Sequence, residues 1–332
     1  MAAFPVVVVT QWIHDEAIAA LAAFATPILN QTKETLSQAE VKRRCRDADA
    51  MVAFMSDWVD REVLDSCPKL RIVAAALKGF DNFDVKACEE AGVLLTIVPD
   101  LLTEPTAELV IALTLGLMRN ILAGDAYVRS GAFQGWRPIL YGAGLNDKVI
   151  GVIGMGAVGK AVVRRLVAFG VRKPILFLDP NQEAATSALP IAPASSLADL
   201  LSASNVVIPL VPLTADTTHL FDAQALRMMK SGAFLVNCGR GSVVDEDAVA
   251  EALETGELGG YAADVFEFED WARPSRPRQI PERLLKMKDR TLFTPHLGSA
   301  VDEVRRDIAL FAIEQIRQLL VDRKRPTHCV PC

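Results

Sequence analysis

Val149-Ile-Gly-Val-Ile-Gly-Met-Gly-Ala-Val-Gly159 is the stretch that decides the fold. Its apolar half has the length of a buried β-strand, and Gly154-Met-Gly156-Ala-Val-Gly159 has the G-x-G-x-x-G spacing of a loop that opens a helix. The first glycine permits a tight turn, the second lets backbone N–H groups approach a pyrophosphate, and the third allows close helix–strand packing. Asp179 ends the next apolar run, where a carboxylate can accept hydrogen bonds from a ribose and would repel a 2′-phosphate. The stretch therefore predicts a dinucleotide-binding βαβ unit that prefers NAD to NADP.

Apolar runs of strand length alternate with helical patterns on both sides of this stretch, as in parallel sheets built from βαβ units. The predicted strands before it are Val6–Thr10, Met51–Phe54, Ile72–Ala76 and Leu94–Val98. Those after it are Ile175–Leu178, Val206–Leu210, Ala233–Asn237, Tyr261–Val265 and Leu292–Thr294. We predict an α/β protein of two lobes. Residues 101–299 form a Rossmann NAD-binding domain with a doubly wound parallel sheet, and residues 1–100 and 300–332 form a smaller, discontinuous, flavodoxin-like α/β substrate domain.

Three helices carry specific end signals. Thr103-Glu-Pro105 opens a long apolar helix that continues to about Ile121, with Thr103 as N-cap. Ser242-Val-Val-Asp245 fits a capping box ahead of a helix Asp245–Leu253. The last helix covers about Val301–Val321.

Composition excludes several classes of protein. The chain of 332 residues carries a net charge of −6, which argues against a nucleic-acid binder, and 51% hydrophobic residues are typical of a globular protein. The N-terminus lacks the basic region of a signal peptide, and Leu109–Met118 is too short to span a bilayer. We expect a soluble cytoplasmic protein without a membrane or nucleic-acid partner.

The six cysteines are too sparse for a disulfide framework or a zinc ribbon. Cys329-Val-Pro-Cys332, with His328 beside it, is the one candidate metal site, and a frayed polar tail is the favoured alternative. We expect no bound metal.

Three polar residues follow predicted strands and form the candidate catalytic set: Arg240, Glu269 and His296. Ligands of doubly wound sheets bind outside the carboxyl ends of the strands, which is where the glycine loop also lies. His exchanges a proton near neutral pH, a Glu hydrogen-bonded to its other nitrogen fixes the tautomer, and Arg binds an anion in bidentate fashion. These roles suit hydride transfer coupled to proton transfer.

The glycine loop, Asn237-Cys-Gly-Arg-Gly-Ser242, Ala263-Asp-Val-Phe266 with Glu269, and Thr294-Pro-His296 together resemble the D-2-hydroxyacid dehydrogenase superfamily. The resemblance covers nearly the whole chain. It implies an NAD(H)-dependent, two-lobed homodimer in which Arg240, Glu269 and His296 are catalytic. The cofactor-binding positions that it implies are Gly154, Met155, Gly156, Ala157, Val158, Gly159, Asp179, Pro180, Leu210, Val211, Pro212, Thr106, Cys238, Gly239, Asp264 and His296.

Within the superfamily the chain resembles the phosphite (phosphonate) dehydrogenases. The segments that carry this resemblance are Met51-Val-Ala-Phe-Met55, Ala76-Leu-Lys-Gly-Phe-Asp-Asn-Phe-Asp84, Val98-Pro-Asp-Leu-Leu-Thr103, Val128-Arg-Ser-Gly-Ala-Phe-Gln-Gly-Trp136 and Glu267-Phe-Glu-Asp-Trp-Ala-Arg273. It implies oxidation of phosphite to phosphate, with water as the oxygen source and hydride transfer to NAD. The substrate-binding positions that it implies are Lys78, Gly79, Met55, Trp136, Tyr141, Ser299 and Arg305.

Some features depart from this pattern or favour another one. Cys238-Gly239 stands where the resemblance leads us to expect Pro-Cys, and Asp179-Pro180 where it leads us to expect Glu-Ala, so the cofactor contacts differ in detail. A glyoxylate or hydroxypyruvate dehydrogenase is the main alternative, although Lys78 is rare in such enzymes. An NAD-sensing protein without turnover is a second alternative. A P-loop hydrolase is a third, but Ala161 stands where its Mg²⁺-binding Ser or Thr would be.

Overall fold

A computed structural model of the chain describes residues 4–181 and 190–330. The chain divides into two units. The first comprises Met1–Leu102, Trp271–Pro274 and Ala300–Cys332, and the second comprises Thr103–Asp270 and Ser275–Ser299. The return of 271–274 to the first unit differs from the predicted domain boundaries. Its physical basis is a stack of the Trp271 ring on the Trp58 ring, with centroids 5.5 Å apart and an interplanar angle of 11°.

The first unit contains a parallel sheet with strand order β2-β1-β3-β4-β5, the flavodoxin-type order. Its strands are β1 Val6–Val9, β2 Thr26–Leu29, β3 Ala50–Ala53, β4 Ile72–Ala75 and β5 Leu94–Thr96. Its first helices are α1 Asp15–Ala22, α2 Gln38–Cys45, α3 Arg61–Ser66 and α4 Val85–Glu90. Every residue of β3 and β4 is buried, because helices cover both faces of the sheet, and this explains their uninterrupted apolar sequences.

The second unit contains a seven-stranded parallel sheet with order β12-β11-β10-β9-β6-β7-β8. Its strands are β6 Ile150–Ile153, β7 Ile175–Leu178, β8 Ile191–Pro193, β9 Val206–Pro209, β10 Ala233–Asn237, β11 Leu258–Ala263 and β12 Thr291–Phe293. Its helices are α5 Thr103–Met118, α6 Ile121–Arg129, α7 Ala157–Ala168, α8 Leu197–Ala203, α9 Ala223–Met228, α10 Glu246–Thr255 and α11 Glu282–Lys286. This is the Rossmann order with one further strand, and the predicted α/β class is confirmed.

Two strands are absent from the sequence prediction, and a third begins earlier than predicted. β2 contains Pro27, which an edge strand tolerates, and β8 is three partly exposed residues at the other sheet's edge. β11 begins at Leu258 and includes Gly259. A Cβ on Gly259 would lie 2.4 Å from the Gly232 carbonyl oxygen, so the close approach of the two backbones requires glycine there.

The long apolar helix ends at Met118, not at Ile121. Asn120 has a φ of 54°, in the left-handed region, and α6 then starts at Ile121 in a new direction. α5 and α6 meet at a bend of 63°. Over the described residues no single helix is long and apolar enough to cross a membrane; only this bent pair, taken together, reaches that length and apolarity.

The predicted capping box at Ser242 is wrong. α10 has Asp245 as its N-cap, and the Asp245 carboxylate accepts a hydrogen bond of 3.0 Å from the Ala248 N–H. Ser242 instead lies in a 3₁₀ turn, Gly241–Val243, and is fully buried. A carboxylate directly before the helix satisfies the orphan N–H groups better than a more distant hydroxyl, and it also suits the helix dipole.

The C-terminal helix α12, Asp302–Leu320, returns to the first unit. It buries Ile308, Ala312 and Ile316 in the core that this unit's sheet provides. The tail beyond it is not frayed as far as Val330, because Cys329 pairs with Thr96 of β5 in an antiparallel bridge. Cys332 lies outside the described residues, so a metal site with Cys329 stays untested.

The glycine loop after β6 is shaped by backbone contacts. Gly154 has a φ of 94°, and a Cβ there would lie 2.6 Å from the Leu210 carbonyl oxygen. A Cβ on Gly159 would lie 2.2 Å from the Gly154 carbonyl oxygen, whereas a Cβ on Gly156 would meet no protein atom within 4 Å. Packing therefore requires the first and third glycines but not the second.

We expect Gly159→Ala to lower the stability of the protein and Gly156→Ala to leave it nearly unchanged. An added methyl group on Gly159 must displace backbone, and overpacking of this kind costs roughly 1–3 kcal/mol. At about 2–4 °C per kcal/mol, the melting temperature of the apoprotein should fall by several degrees. Calorimetry of the two variants side by side checks this, and equal melting temperatures would contradict the packing argument.

Candidate active site

Most of the predicted site residues of the second unit lie on loops that leave the same edge of its sheet. These loops follow β6, β7, β9, β10, β11 and β12, whose parallel directions put all their carboxyl ends together. β6 lies where the strand order reverses, with β7 on one side and β9 on the other. The glycine loop therefore opens at the topological switch point, where doubly wound sheets bind their ligands.

The glycine loop and Asp179 have the features of a dinucleotide site. The Met155 N–H donates a hydrogen bond of 2.6 Å to Asp179 Oδ2, and the Asn181 N–H donates one of 2.8 Å to Oδ1. These bonds fix the carboxylate at the loop, where its remaining lone pairs can accept ribose hydroxyl groups. The space beside Gly156, at the N-terminus of α7, is open to a phosphate group. These residues fit a bound dinucleotide.

The predicted cofactor positions after β9 and β10 lie against each other. A Cβ on Gly239 would be 3.3 Å from the carbonyl oxygens of both Pro209 and Val211, so the two loops are in close contact. Cys238 is buried, and burial raises the pKa of its thiol well above the usual range. We therefore assign Cys238 to packing beneath the loop and not to nucleophilic chemistry.

Arg240 is half-buried in the turn that follows β10. The side chain of Asn237 fixes this turn, because its amide donates to the Arg240 carbonyl oxygen at 2.9 Å and accepts from the Gly239 N–H at 3.1 Å. The guanidinium donates to the Gly239 carbonyl oxygen at 3.0 Å. A Cβ on Gly241 would lie 1.9 Å from the Phe266 carbonyl carbon, so the Arg240 turn lies directly on the chain that leads to Glu269.

Glu269 and His296 form the hydrogen-bonded pair that the sequence predicts. His296 Nδ1 lies 2.8 Å from Glu269 Oε2, and Glu269 Oε1 accepts a hydrogen bond of 2.8 Å from the Phe266 N–H. The side chains of His296 and Glu269 are 28% and 24% exposed, so the pair is partly shielded but open to a ligand. The geometry can hold an imidazole in one orientation for proton transfer.

Asp264 holds the loop that carries His296. Its carboxylate accepts hydrogen bonds from the Thr294 hydroxyl at 2.6 Å, the Leu297 N–H at 2.7 Å and the Gly298 N–H at 2.8 Å. His296 itself has a φ of 56°, a left-handed conformation that needs such support. Burial raises the pKa of Asp264, and these hydrogen bonds oppose the rise. Asp264 therefore holds this loop, and its predicted contact with the cofactor stays a prediction.

The remaining predicted positions of the second unit differ in their surroundings: one borders the His296 loop, one is buried and two are exposed. A Cβ on Gly298 would lie 3.3 Å from the Thr106 hydroxyl, so Thr106 borders the His296 loop. Ser299, the residue after Gly298, is buried. Trp136 and Tyr141 are 82% and 74% exposed and pack little against their own chain.

The first unit carries the other predicted substrate-binding residues. Lys78 follows β4, next to Gly79, and its ammonium group lies 3.1 Å from the exposed Asp100 carboxylate. Arg305, on α12, lies with its guanidinium 5.6 Å from the centroid of the Phe54 ring, and burial lowers its pKa. Met55 packs against the core of this unit, and its predicted contact with the substrate stays a prediction.

A cavity of about 250 Å³ lies beside Arg305 in the first unit. Trp12, His14 and Phe54 are among its other lining residues. His14 Nε2 lies 3.1 Å from the Asp302 carboxylate at the start of α12. The cavity combines apolar walls with the half-buried Arg305 and the polar side chains of His14 and Asp302.

Four acidic or basic residues around the turns of Arg240 and Glu269 received no role in the sequence analysis: His219, Glu246, Glu267 and Asp270. Asp270 accepts a hydrogen bond of 2.7 Å from the Ser242 N–H. Glu267 lies 2.7 Å from His219 and hydrogen-bonds with the first residue of α10, Glu246. No local signal marks these residues, because their contacts join positions 21 to 48 residues apart in the sequence.

The family comparison agrees with this geometry. Residues 111–298 match the model of "D-isomer specific 2-hydroxyacid dehydrogenase, NAD binding domain". The glyoxylate reductase of Thermococcus litoralis is 34% identical over 92% of this chain and 90% of its own length. Other relatives with 32–36% identity are also named glyoxylate reductase, and none of these is named a phosphite dehydrogenase.

Among the solved structures with the same fold, one contains NAD and another contains NADP. The D-lactate dehydrogenase of Aquifex aeolicus, complexed with NAD and lactic acid, has a TM-score of 0.84 at 25% identity and covers 98% of this chain and 100% of its own. The NADPH-dependent glyoxylate/hydroxypyruvate reductase of Sinorhizobium meliloti, in complex with NADP and malonate, has a TM-score of 0.81 at 26% identity and covers 98% and 96%. The second unit is thus a nicotinamide-dinucleotide-binding domain, and the chain belongs to the D-isomer specific 2-hydroxyacid dehydrogenase family of oxidoreductases.

Proposed function

We propose that the protein is an NAD-dependent dehydrogenase that oxidises phosphite to phosphate. The hydrogen bond of 2.8 Å between His296 and Glu269, beside the turn of Arg240, carries the proposal that this is an enzyme and not only a sensor of NAD. A protein that merely sensed the dinucleotide would not need an oriented imidazole at the carboxyl edge of the sheet. The choice of phosphite rests on the sequence resemblance and on Lys78.

The proposed reaction consumes phosphite, NAD⁺ and water, and it yields phosphate, NADH and one proton. Bound NAD supplies the acceptor for the hydride that leaves phosphorus as the P–H bond breaks. His296, with Nδ1 held by Glu269, takes at Nε2 the proton of the water whose oxygen forms the new P–O bond. Arg240 holds the substrate oxyanion, and the half-buried position of these groups limits competing water.

Phosphite suits a site with more than one cation. It is a small tetrahedral oxyanion without a carbon skeleton, so its binding depends on charge, and each charge-assisted contact contributes roughly 1.5–3 kcal/mol. The choice of these cations rests on the sequence resemblance, which puts Lys78 among the substrate-binding positions and Arg240 among the catalytic ones. Asp270 and Trp271, which stand where a hydroxyacid dehydrogenase typically has proline after its catalytic Glu, have structural uses here, since one holds the Ser242 N–H and the other stacks on Trp58.

Reduction of glyoxylate or hydroxypyruvate is the second candidate function. The names of the relatives support it better than they support phosphite oxidation. The same groups serve it in reverse, with Arg240 on the carboxylate of the substrate and His296 donating a proton to the carbonyl oxygen. This candidate leaves Lys78 without a specific role.

The homodimer implied by the resemblance and the cytoplasmic location stay predictions. Helix α6 and the segment after it expose many large apolar side chains that a partner would bury. They are Ile121, Leu122, Val128, Phe133, Trp136, Ile139, Leu140 and Tyr141.

We expect purified protein to produce NADH from NAD and phosphite, and not from NAD with D-glycerate or glycolate. Reduction of glyoxylate and hydroxypyruvate with NADH is measured in parallel, each followed by absorbance at the NADH band. Turnover of phosphite alone supports the main proposal. Turnover of the carbon acids alone overturns it in favour of the second candidate.

Lys78→Ala provides the matching test on the protein. Loss of one charge-assisted contact of roughly 1.5–3 kcal/mol predicts a rise in the KM for phosphite of about 10–100-fold. Lys86→Ala, at an exposed lysine of α4, is the control and should leave KM unchanged. A Lys78→Ala enzyme with unchanged KM would remove the argument for a second cation.

We expect His296→Ala to lower kcat by about 10²–10⁴-fold, because it removes the proton acceptor. Glu269→Gln keeps the shape of the pair and should lower kcat less. Both variants should still bind NADH, which fluorescence titration measures. If His296→Ala turned over at a near-normal rate, the assignment of the base would be wrong.

We expect Asp179→Asn to raise the use of NADP relative to NAD by at least about tenfold in kcat/KM, equivalent to about 1.4 kcal/mol. The variant removes the charge that repels a 2′-phosphate but retains an acceptor oxygen for the Met155 N–H. Both cofactors are assayed with the same substrate. An unchanged ratio would mean that groups other than Asp179 determine the preference for NAD.

A further inference from the structure

A second histidine–carboxylate pair shares a turn with the proposed catalytic pair of Glu269 and His296. His219 Nε2 lies 2.7 Å from Glu267 Oε2, and the His219 side chain is 36% exposed whereas that of Glu267 is 7% exposed. Glu267 and Glu269 are the first and last residues of one 3₁₀ turn, Glu267–Glu269. One short turn therefore carries two carboxylates, each of which holds a different histidine.

Glu267 also connects this turn to the start of α10. The Glu246 N–H donates to Glu267 Oε1 at 3.2 Å, and the Glu267 N–H donates to Glu246 Oε1 at 2.8 Å. Burial, with nearby carboxylates as further causes, raises the pKa of Glu246 to about 8. At neutral pH a protonated Glu246 side chain is uncharged and does not repel the Glu267 carboxylate. The two buried carboxyl groups can therefore lie next to each other.

His219 extends the network to the loop that follows the predicted cofactor contacts Leu210–Pro212. Its φ of 50° is left-handed, a conformation that costs a residue with a side chain roughly 1–2 kcal/mol. Two contacts hold it there, because the His219 N–H donates to the Ser242 carbonyl oxygen at 2.7 Å while the ring pairs with Glu267. The network thus joins the loop after β9, the turn of Arg240 and the turn of Glu269.

We propose that Glu267, held by His219 and by the first residue of α10, is a positioning residue that fixes the turn from which Glu269 orients His296. The inference rests on the proposed function, since it takes Glu269 and His296 as the catalytic pair. Glu267 is buried within this network and acts through Glu269. A displacement of about 1 Å at the reacting groups can cost on the order of 10²-fold in rate, so a loosened turn has a measurable effect.

The first test compares Glu267→Ala, Glu267→Gln and the control Glu251→Gln, an exposed carboxylate on α10. We expect Glu267→Ala to lower kcat by tens of fold, with the Kd for NADH within about twofold of wild type. Glu267→Gln keeps an acceptor for the Glu246 N–H and a donor for a neutral His219, so it should recover most of the rate. The control should match wild type.

The second test is a double-mutant cycle with His219→Asn. Asn tolerates the left-handed backbone but is too short to reach Glu267, so it breaks the pair without a new backbone strain. We expect a smaller loss of kcat than in Glu267→Ala. Addition of His219→Asn to Glu267→Ala should cause little further loss, because both changes break one interaction.

A third measurement needs no turnover. Proton NMR of the apoprotein should show a downfield ring N–H resonance of the Glu269–His296 hydrogen bond, assigned by its loss in His296→Ala. We expect Glu267→Ala to broaden or remove this resonance and Glu251→Gln to retain it. If the resonance and the melting temperature of Glu267→Ala both matched wild type, the positioning role would be overturned whatever the substrate. A fall in kcat accompanied by an equal loss of NADH affinity would also overturn it, as general unfolding would explain both.

If the wild-type protein turned over neither phosphite nor any of the carbon acids, the proposed function would be refuted, but the positioning role of Glu267 would not. The resonance would still decide the role of Glu267, so the two failures are distinguishable.

Discussion

The close approach of two backbones at Gly241 is the constraint on which the candidate active site depends. No side chain fits there, because a Cβ would lie 1.9 Å from the Phe266 carbonyl carbon. The turn of Arg240 can therefore rest on the chain just before Glu269, and Asp270 locks the contact by accepting from the Ser242 N–H. The relative position of the Arg240 and Glu269 backbones is thus set by main-chain packing, which is part of the rigidity that a preorganised site needs.

Buried carboxylates in this protein mostly hold loops. Asp264 secures the His296 loop with three hydrogen bonds, and Asp57 of the first unit accepts from the Phe54 N–H and the Thr10 hydroxyl. Burial raises the pKa of Asp57 to about 6, so its hydrogen bonds only partly offset the cost of desolvation. A carboxylate becomes a candidate for catalysis when, like Glu269, it pairs with a histidine that a ligand can reach. Burial alone does not separate the carboxylates that hold loops from the one proposed for catalysis.

The sequence predicted most of the fold because its strands are apolar runs that lie between helical patterns, and both patterns are local in sequence. It also predicted the pair of Glu269 and His296, since both follow strands whose ends share one edge. It could not predict that Ser242 would be displaced as a cap by Asp245, or that Trp271 would join the first unit, because both depend on contacts with residues distant in sequence. For the same reason the Glu267 network had no local signal.

The scaffold and the substrate are separate questions in this family. A Rossmann sheet, a held imidazole and one Arg can serve any substrate that carries an anionic oxygen and gives up a hydride, so the name glyoxylate reductase given to the relatives does not by itself decide the substrate here. Discrimination between substrates must therefore come from residues other than the Rossmann sheet, the imidazole and the Arg. Lys78 adds positive charge on the first unit, where its contact with the exposed Asp100 is worth little in water. The Lys78 ammonium group can therefore leave Asp100 at little energetic cost, as its proposed role in binding phosphite requires.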